Sequence, residues 1–155
     1  SIMTVRTSAG TTLKISAASP ATFDAAGYGA LTLTAVGEIT DLGEFGREFA
    51  LVTHMPVGSR GTQKFKGSFN EGTMSLSLGL DTDDAGQVLM KSGSLSDDNY
   101  SFEVTTQNGD KYFFQAKVMS FKVSVSGVDS ITTATTSLEL TTTAAGVGIV
   151  EELAA

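Results

Sequence analysis

Cysteine is missing from all 155 residues, so disulfides and thiolate metal sites are excluded. Tryptophan is also absent, and the chain has two prolines and one histidine. Without covalent staples the fold must rest on packing and on contacts between copies. A domain of this length can do so, because it buries roughly two-thirds of the surface its unfolded chain exposes. Positive charge is scarce: ten Lys and Arg stand against seventeen Asp and Glu, a formal net charge of −7. That balance disfavours tight nucleic-acid binding, where cations must displace counterions from phosphates. No apolar run approaches the roughly 20 residues of a membrane span, so no membrane partner is expected. The opening Ser1-Ile2-Met3-Thr4-Val5-Arg6 has no apolar core behind its basic residue, so a secretion signal is not expected there. Synthesis and use in the cytoplasm, or in a particle assembled there, follow as the expectation.

What the chain does contain is Thr, Ser, Gly, Val and Phe in short alternating segments, the pattern of an all-β domain with closely spaced turns. One domain over residues 1–155 is expected, with 1–10 and 144–155 as weakly patterned, flexible arms. Thr12 to Ser16 and Leu31 to Val36 read as strands, with a short helical turn after Ser19-Pro20 that Gly27 ends. From Gly37 to Gly61 the pattern weakens and predicts a long loop. Yet Phe45, Phe49, Leu51, Val52 and Met55 make that loop apolar. It either folds over its own core or docks on another subunit.

A hairpin is predicted next. Phe65, Gly67 and Phe69 share one face, Asn70-Glu71-Gly72 turns, and Met74, Leu76, Leu78 and Leu80 return. One helix follows, capped by Asp81 or Thr82, with Ala85, Val88, Leu89 and Ser92 on one face and Gly93 ending it. Tyr100 to Thr105 and Lys111 to Val125 flank an Asn108-Gly109 turn. In the second of these strands the apolar phase slips by one residue at Val118-Met119, which requires a bulge or a change of partner sheet. Gly127-Val128-Asp129 turns the chain into a Thr-rich strand from Ser130 to Thr142.

No chemistry-bearing constellation accompanies these elements. His54 is alone beside Met55-Pro56, and a lone loop histidine is more often a hydrogen-bonder than a ligand. Asp81-Thr82-Asp83-Asp84 imitates the start of a calcium loop, but Ala85 and Ser92 stand where ligands belong, so helix capping explains the acids better. Asn99-Tyr100-Ser101 matches a glycosylation triplet without a secretion signal beside it. Lys64, Lys66, Lys111, Lys117 and Lys122 read as a solvated or edge-protecting set. No nucleophile elbow, phosphate loop or dinucleotide fingerprint is present. The chain is therefore not expected to be an enzyme, and no catalytic, metal or cofactor site is assigned.

Several strings in order resemble the tail tube proteins of lambda-like siphophages. Val36-Gly37-Glu38-Ile39-Thr40-Asp41-Leu42-Gly43-Glu44-Phe45-Gly46 resembles the start of that family's large loop. Val52-Thr53-His54 with Pro56-Val57-Gly58-Ser59-Arg60-Gly61 is similar to its end. Lys66 to Asn70, Leu76 to Asp81 with Asp84 to Gln87, Tyr100 to Phe102, and Met119 to Phe121 continue the order. The resemblance covers most of residues 10–142. It implies a β-sandwich with one flanking helix and a long loop, whose inner sheets join into a barrel in a hexameric ring. Stacked rings would make a conduit for double-stranded DNA in a virion or phage-like tail. Tape measure, tail terminator and distal tail proteins would be partners, and the DNA would pass without specific binding.

On that reading the ring-stacking loop is Gly43, Glu44, Phe45, Gly46, Arg47, Phe49, Pro56, Gly58, Ser59, Arg60 and Gly61. Lumen candidates are Ser75 and Ser77, or alternatively Thr133, Thr135, Ser137 and Glu139. That second strand face carries no Lys or Arg, and a smooth, net negative lumen is expected. The competing expectation is a secreted or surface-assembled β-sandwich, pilus-type or carbohydrate-binding, though the latter usually displays exposed aromatic residues.

Overall fold

A computed structural model describes residues 10–125 and 132–154. The turn expected at Gly127-Val128-Asp129 and nearly all of the 1–10 arm lie outside the described residues. Among the described residues the chain forms ten strands and two short helices. The strands are β1 (Thr12–Ser16), β2 (Thr34–Ala35), β3 (Ile39–Asp41), β4 (Glu48–His54), β5 (Gln63–Asn70), β6 (Thr73–Gly79), β7 (Tyr100–Thr105), β8 (Lys111–Ser124), β9 (Thr133–Thr141) and β10 (Val150–Glu152). The helices are α1 (Ala25–Gly29) and α2 (Ala85–Ser94). The all-β expectation holds.

The main sheet runs β2-β1-β7-β8-β9-β6-β3, with β10 added beside β8. It curls over one apolar face. Leu13 and Ile15, Phe102 and Val104, Phe114, Ala116 and Val118, Leu138 and Leu140, and Met74, Leu76 and Leu78 all meet in one core. This is the period-two pattern of each strand turned inward. Phe102 and Phe114 stack at its centre, 5.5 Å between ring centroids.

Helix α2 closes one end of the curl. Its N-cap is Asp84, whose carboxylate accepts the Gln87 amide at 3.0 Å, rather than Asp81 or Thr82. Its buried face is Gly86, Gln87, Met90 and Gly93, not the expected Ala85-Val88-Leu89-Ser92 set. The reason is close approach. A side chain on Gly86 would run into the Ala35 carbonyl, and one on Gly93 would press on Val118, so glycine lets the helix lie on the strands. Gly93 therefore sits inside the helix instead of ending it. Gln87 fixes the helix in place: its Nε2 donates to the carbonyls of Gly37 (3.0 Å) and Gly79 (2.9 Å), and its Oε1 accepts the Asp81 amide. Gly27 likewise lies within α1, which Asp24 caps.

The slip at Val118-Met119 is a β-bulge. The β8–β9 register shifts between Val118 and Ser120. After it Phe121, paired with Thr136, faces the core. The segment expected to be a loose tail contributes β10, paired with Phe113 to Lys111 of β8. A sheet edge that the sequence pattern barely marks is captured by tertiary pairing.

Two corrections concern the middle of the chain. The long loop contains β3 and β4, and β4 pairs antiparallel with β5 as a separate two-stranded sheet. The hairpin expected across Asn70-Glu71-Gly72 does not form, because β5 pairs with β4 whereas β6 pairs with β9 and β3. Residues 70–72 instead carry the chain out of one sheet into the other, with Gly72 at φ +95°, a left-handed conformation that favours glycine. Turn composition alone does not say which strand a turn delivers.

Candidate functional site

Strands β4 and β5 form an arm. Every residue of β4 is exposed, and in β5 only Gly67 and Phe69 are half-buried. Directly paired residues share a face, and the register pairs Phe49 with Phe69 and Val52 with Phe65 across a bulge between Phe49 and Leu51. The register puts Phe49, Val52, Phe65 and Phe69 on one face and starts Lys64 and Lys66 from the other, but the Lys66 Nζ reaches to 4.7 Å from the Phe49 ring centroid, so a cation covers part of the aromatic surface. Phe49, Leu51, Val52, Met55, Val57 and Phe65 are all substantially exposed. An isolated two-stranded ribbon is marginal in water, and an apolar surface this concentrated marks an interaction site.

The root of the arm is tied to the body. Glu71 is buried and accepts the Arg47 Nε at 2.8 Å and the Ile149 amide at 2.8 Å. Burial alone would raise its carboxyl. The hydrogen bonds from Arg47 and Ile149, with the guanidinium charge, outweigh that and hold it below its ordinary value. Arg47 also lies 3.7 Å from the Phe69 ring centroid, a cation–π contact. Phe45 packs against Tyr112 and Phe114 at 5.3 and 6.0 Å between centroids.

The expected loop set therefore divides. Phe45 belongs to the subunit's own core and Arg47 to the root. Gly43, Glu44 and Gly46 lead into the arm, Phe49 is on its apolar face, and Pro56, Gly58, Ser59, Arg60 and Gly61 form its tip, where the Ser59 amide turns back to the Pro56 carbonyl. His54 is exposed on β4, opposite Gln63.

A second surface lies on the side of β6, β9 and β8 away from the core. The registers set out four rows: Thr73–Glu139–Lys117, Ser75–Ser137–Ser120, Ser77–Thr135–Lys122 and Gly79–Thr133–Ser124. The two sets of lumen candidates, read from sequence as alternatives, are one continuous face. Asp41 of β3 pairs with Ser77 and extends the third row. Thr73 Oγ1 donates to Glu139 Oε2 across the first.

The face is not acidic. Lys117 and Lys122 stand against Glu139 and Asp41, so its formal charges balance. Reading β9 by itself missed the lysines on the adjacent strand. Lys117 and Lys122 are five positions apart and alternation would put them on opposite faces; the bulge brings them together. The phase slip in the sequence held that signal. Among the described residues no cluster of three or more His, Asp or Glu could hold a metal ion.

No protein-family model matches the chain, and no curated protein matches it in sequence. Solved structures do match it in shape. A protein from the tail of an empty GTA particle, refined with C6 symmetry, superposes with a TM-score of 0.66 at 10% identity, over 97% of this chain and 100% of that one. The fold is shared with proteins of phage-like tails. A chain from the sheath/tube terminator of an extracellular contractile injection system, in the extended state, gives 0.64 at 6% identity, covering 98% and 99%. One from the six-fold symmetrised baseplate of the anti-feeding prophage gives 0.61 at 9% identity, covering 89% and 93%. At these identities the likeness is one of fold, and the lambda-like siphophage family in particular is not singled out.

Proposed function

We propose that the chain is a structural subunit of a phage or phage-like tail, forming six-membered rings that stack into a tube, with no catalytic role. The observation that carries this reading is the continuous polar face on β6, β9 and β8, bounded by two open strand edges. Pairing of β7 with β8 stops at Tyr100–Ala116, while β8 continues with β9 as far as Ser124. On the other side β3 pairs with β6 only at Leu78 and Ser77. Open edges are templates for another strand, and joining them around a ring would close a barrel whose lining is the Ser, Thr, Lys and Glu rows. Two fold relatives come from assemblies described with six-fold symmetry, which supports the ring number.

On this reading the lumen passes double-stranded DNA over hydroxyls and balanced charges, without gripping it. The ends of the tube would meet terminator, distal tail and tape measure proteins. Its place is the tail of the particle, assembled in the bacterial host. Concentrated purified protein should show six-fold rings or tubes by electron microscopy. A protein that stays monomeric at every concentration, and is absent from any particle, would overturn the proposal.

A further inference from the structure

Two parts of the chain, the root of the arm and the segment that ends in β10, meet on one buried carboxylate. Glu71 is 2% exposed. Its Oε1 accepts Arg47 Nε at 2.8 Å, and its Oε2 accepts the Ile149 amide at 2.8 Å, with Arg47 Nη2 farther off at 3.4 Å. Each oxygen thus has one good donor, and the two donors come from different segments. Gly148 lies against the carboxylate, where a Cβ would strike it, so the segment fits only without a side chain there.

On the arm side the contacts continue outward. The Arg47 guanidinium lies over the Phe69 ring, and Phe49 and Phe69 pack at 5.6 Å between centroids. These two are paired in the register at the start of the arm. On the other side, Ile149 packs against the core and leads directly into Val150, which pairs with Phe113 of β8. Among the described residues the other polar holds on this segment are few. Strand β10 pairs at Val150, Glu151 and Glu152, and the Ala154 amide donates to Asp110. The turn before it is closed on itself by bonds among Thr143, Gly146 and Val147.

A buried carboxylate stripped of one partner costs more than the contact itself contributes. If the arm root swings away, Arg47 leaves and the charge stays behind uncompensated. The carboxylate must then turn to water, which takes Oε2 from the Ile149 amide. If the C-terminal segment lifts instead, Oε2 loses its near donor and water enters beside Arg47, whose side chain is already 37% exposed. An ion pair opened to water contributes little. Neither contact is lost without weakening the other, and such a coupling is reciprocal.

We infer that Glu71 couples the orientation of the β4–β5 arm to the seating of β10 on β8, so that the two are held and released together. A strand that takes the place of β10 on β8 unlocks the arm at its root, and a pull on the arm loosens β10. The coupling belongs to the single subunit and does not depend on the function proposed above.

Amide hydrogen exchange, followed by NMR on the dilute full-length protein, tests it from both sides. Arg47→Gln should speed exchange at residues 149–152 by about tenfold or more, the scale of a hydrogen bond to a charged group. Gly148→Ala should do the same at residues 48, 49, 69 and 70. Arg60→Gln, at the tip of the arm, should change neither set. In a Glu71→Gln background, adding Arg47→Gln should leave exchange at residues 149–152 nearly unchanged, because the charge that carried the effect is gone. A substitution that loosens only its own side overturns the inference. So does a full effect of Arg47→Gln in the Glu71→Gln background, which would mean another route. Equal acceleration in β1 and β7 overturns it as well, being a loss of overall stability and not a coupling.

Discussion

Glu71 joins three parts of the chain through one carboxylate: the arm root at Arg47, the entry to β6, and the C-terminal segment at Ile149. Gly148 lies directly against it, where a side chain would collide with the carboxylate. Replacing it by Gln keeps the volume and removes the charge. Glu71→Gln should lower unfolding free energy by about 2 kcal/mol at pH 7, the scale of hydrogen bonds to a charged group.

The sign of the pH dependence follows from a folded-state pKa below the ordinary value of 4.5. The charge-dependent stability is fully present above about 4.5 and is lost as pH falls through the lower folded value. Urea titrations of both proteins at pH 7 and pH 3 should show a gap that narrows in acid. An equal gap at both would mean that shape rather than charge is responsible.

At the scale of elements, α2 lies close on β8 and the chain before β3 because Gly86 and Gly93 stand at the points of closest approach. Gly86→Ala would improve helix propensity by about 1 kcal/mol, but its methyl group meets the Ala35 backbone, which cannot step aside as a side chain can. Overpacking of this kind costs about 1–3 kcal/mol and should win. Gly29→Ala, in α1, is the opposite case: it is exposed and nothing lies within 4 Å of the added methyl. Thermal melts should show a lower midpoint for Gly86→Ala and an unchanged or slightly raised one for Gly29→Ala. A neutral Gly86→Ala would mean that the helix shifts on the sheet at little cost.

For the whole molecule, the net charge of −7 does not describe the surface proposed to line the tube. The acids concentrate elsewhere, and the β6–β9–β8 rows balance two lysines against Glu139 and Asp41. Changing Lys117 and Lys122 together to Gln should leave folding intact, since both are exposed, and make the face acidic. In particles carrying the change, DNA ejection should be faster at low salt, where lost phosphate contacts matter most, and normal at high salt. An unchanged rate at low salt would show that this face does not line the channel.

The period-two pattern by itself determined much of this protein. It marked β1, β5 to β9, the Asn108-Gly109 hairpin and the slip in β8, because alternation, turn residues and phase are local properties of the backbone. The absence of cysteine likewise left no residues for metal-thiolate chemistry. Partnership was decided only in three dimensions. Asn70-Glu71-Gly72 has the composition of a hairpin turn whether or not its flanking strands pair, and here β5 pairs with β4 while β6 pairs with β9 and β3. The face of α2 was set by how closely Gly86 and Gly93 could approach other strands, which helical spacing does not contain. Lys117 and Lys122 joined one surface only when the bulge and the β8–β9 register were both in place. Local pattern fixes which way a side chain points from its own strand; what stands opposite it depends on segments up to about a hundred residues away, brought together by burial of the shared core.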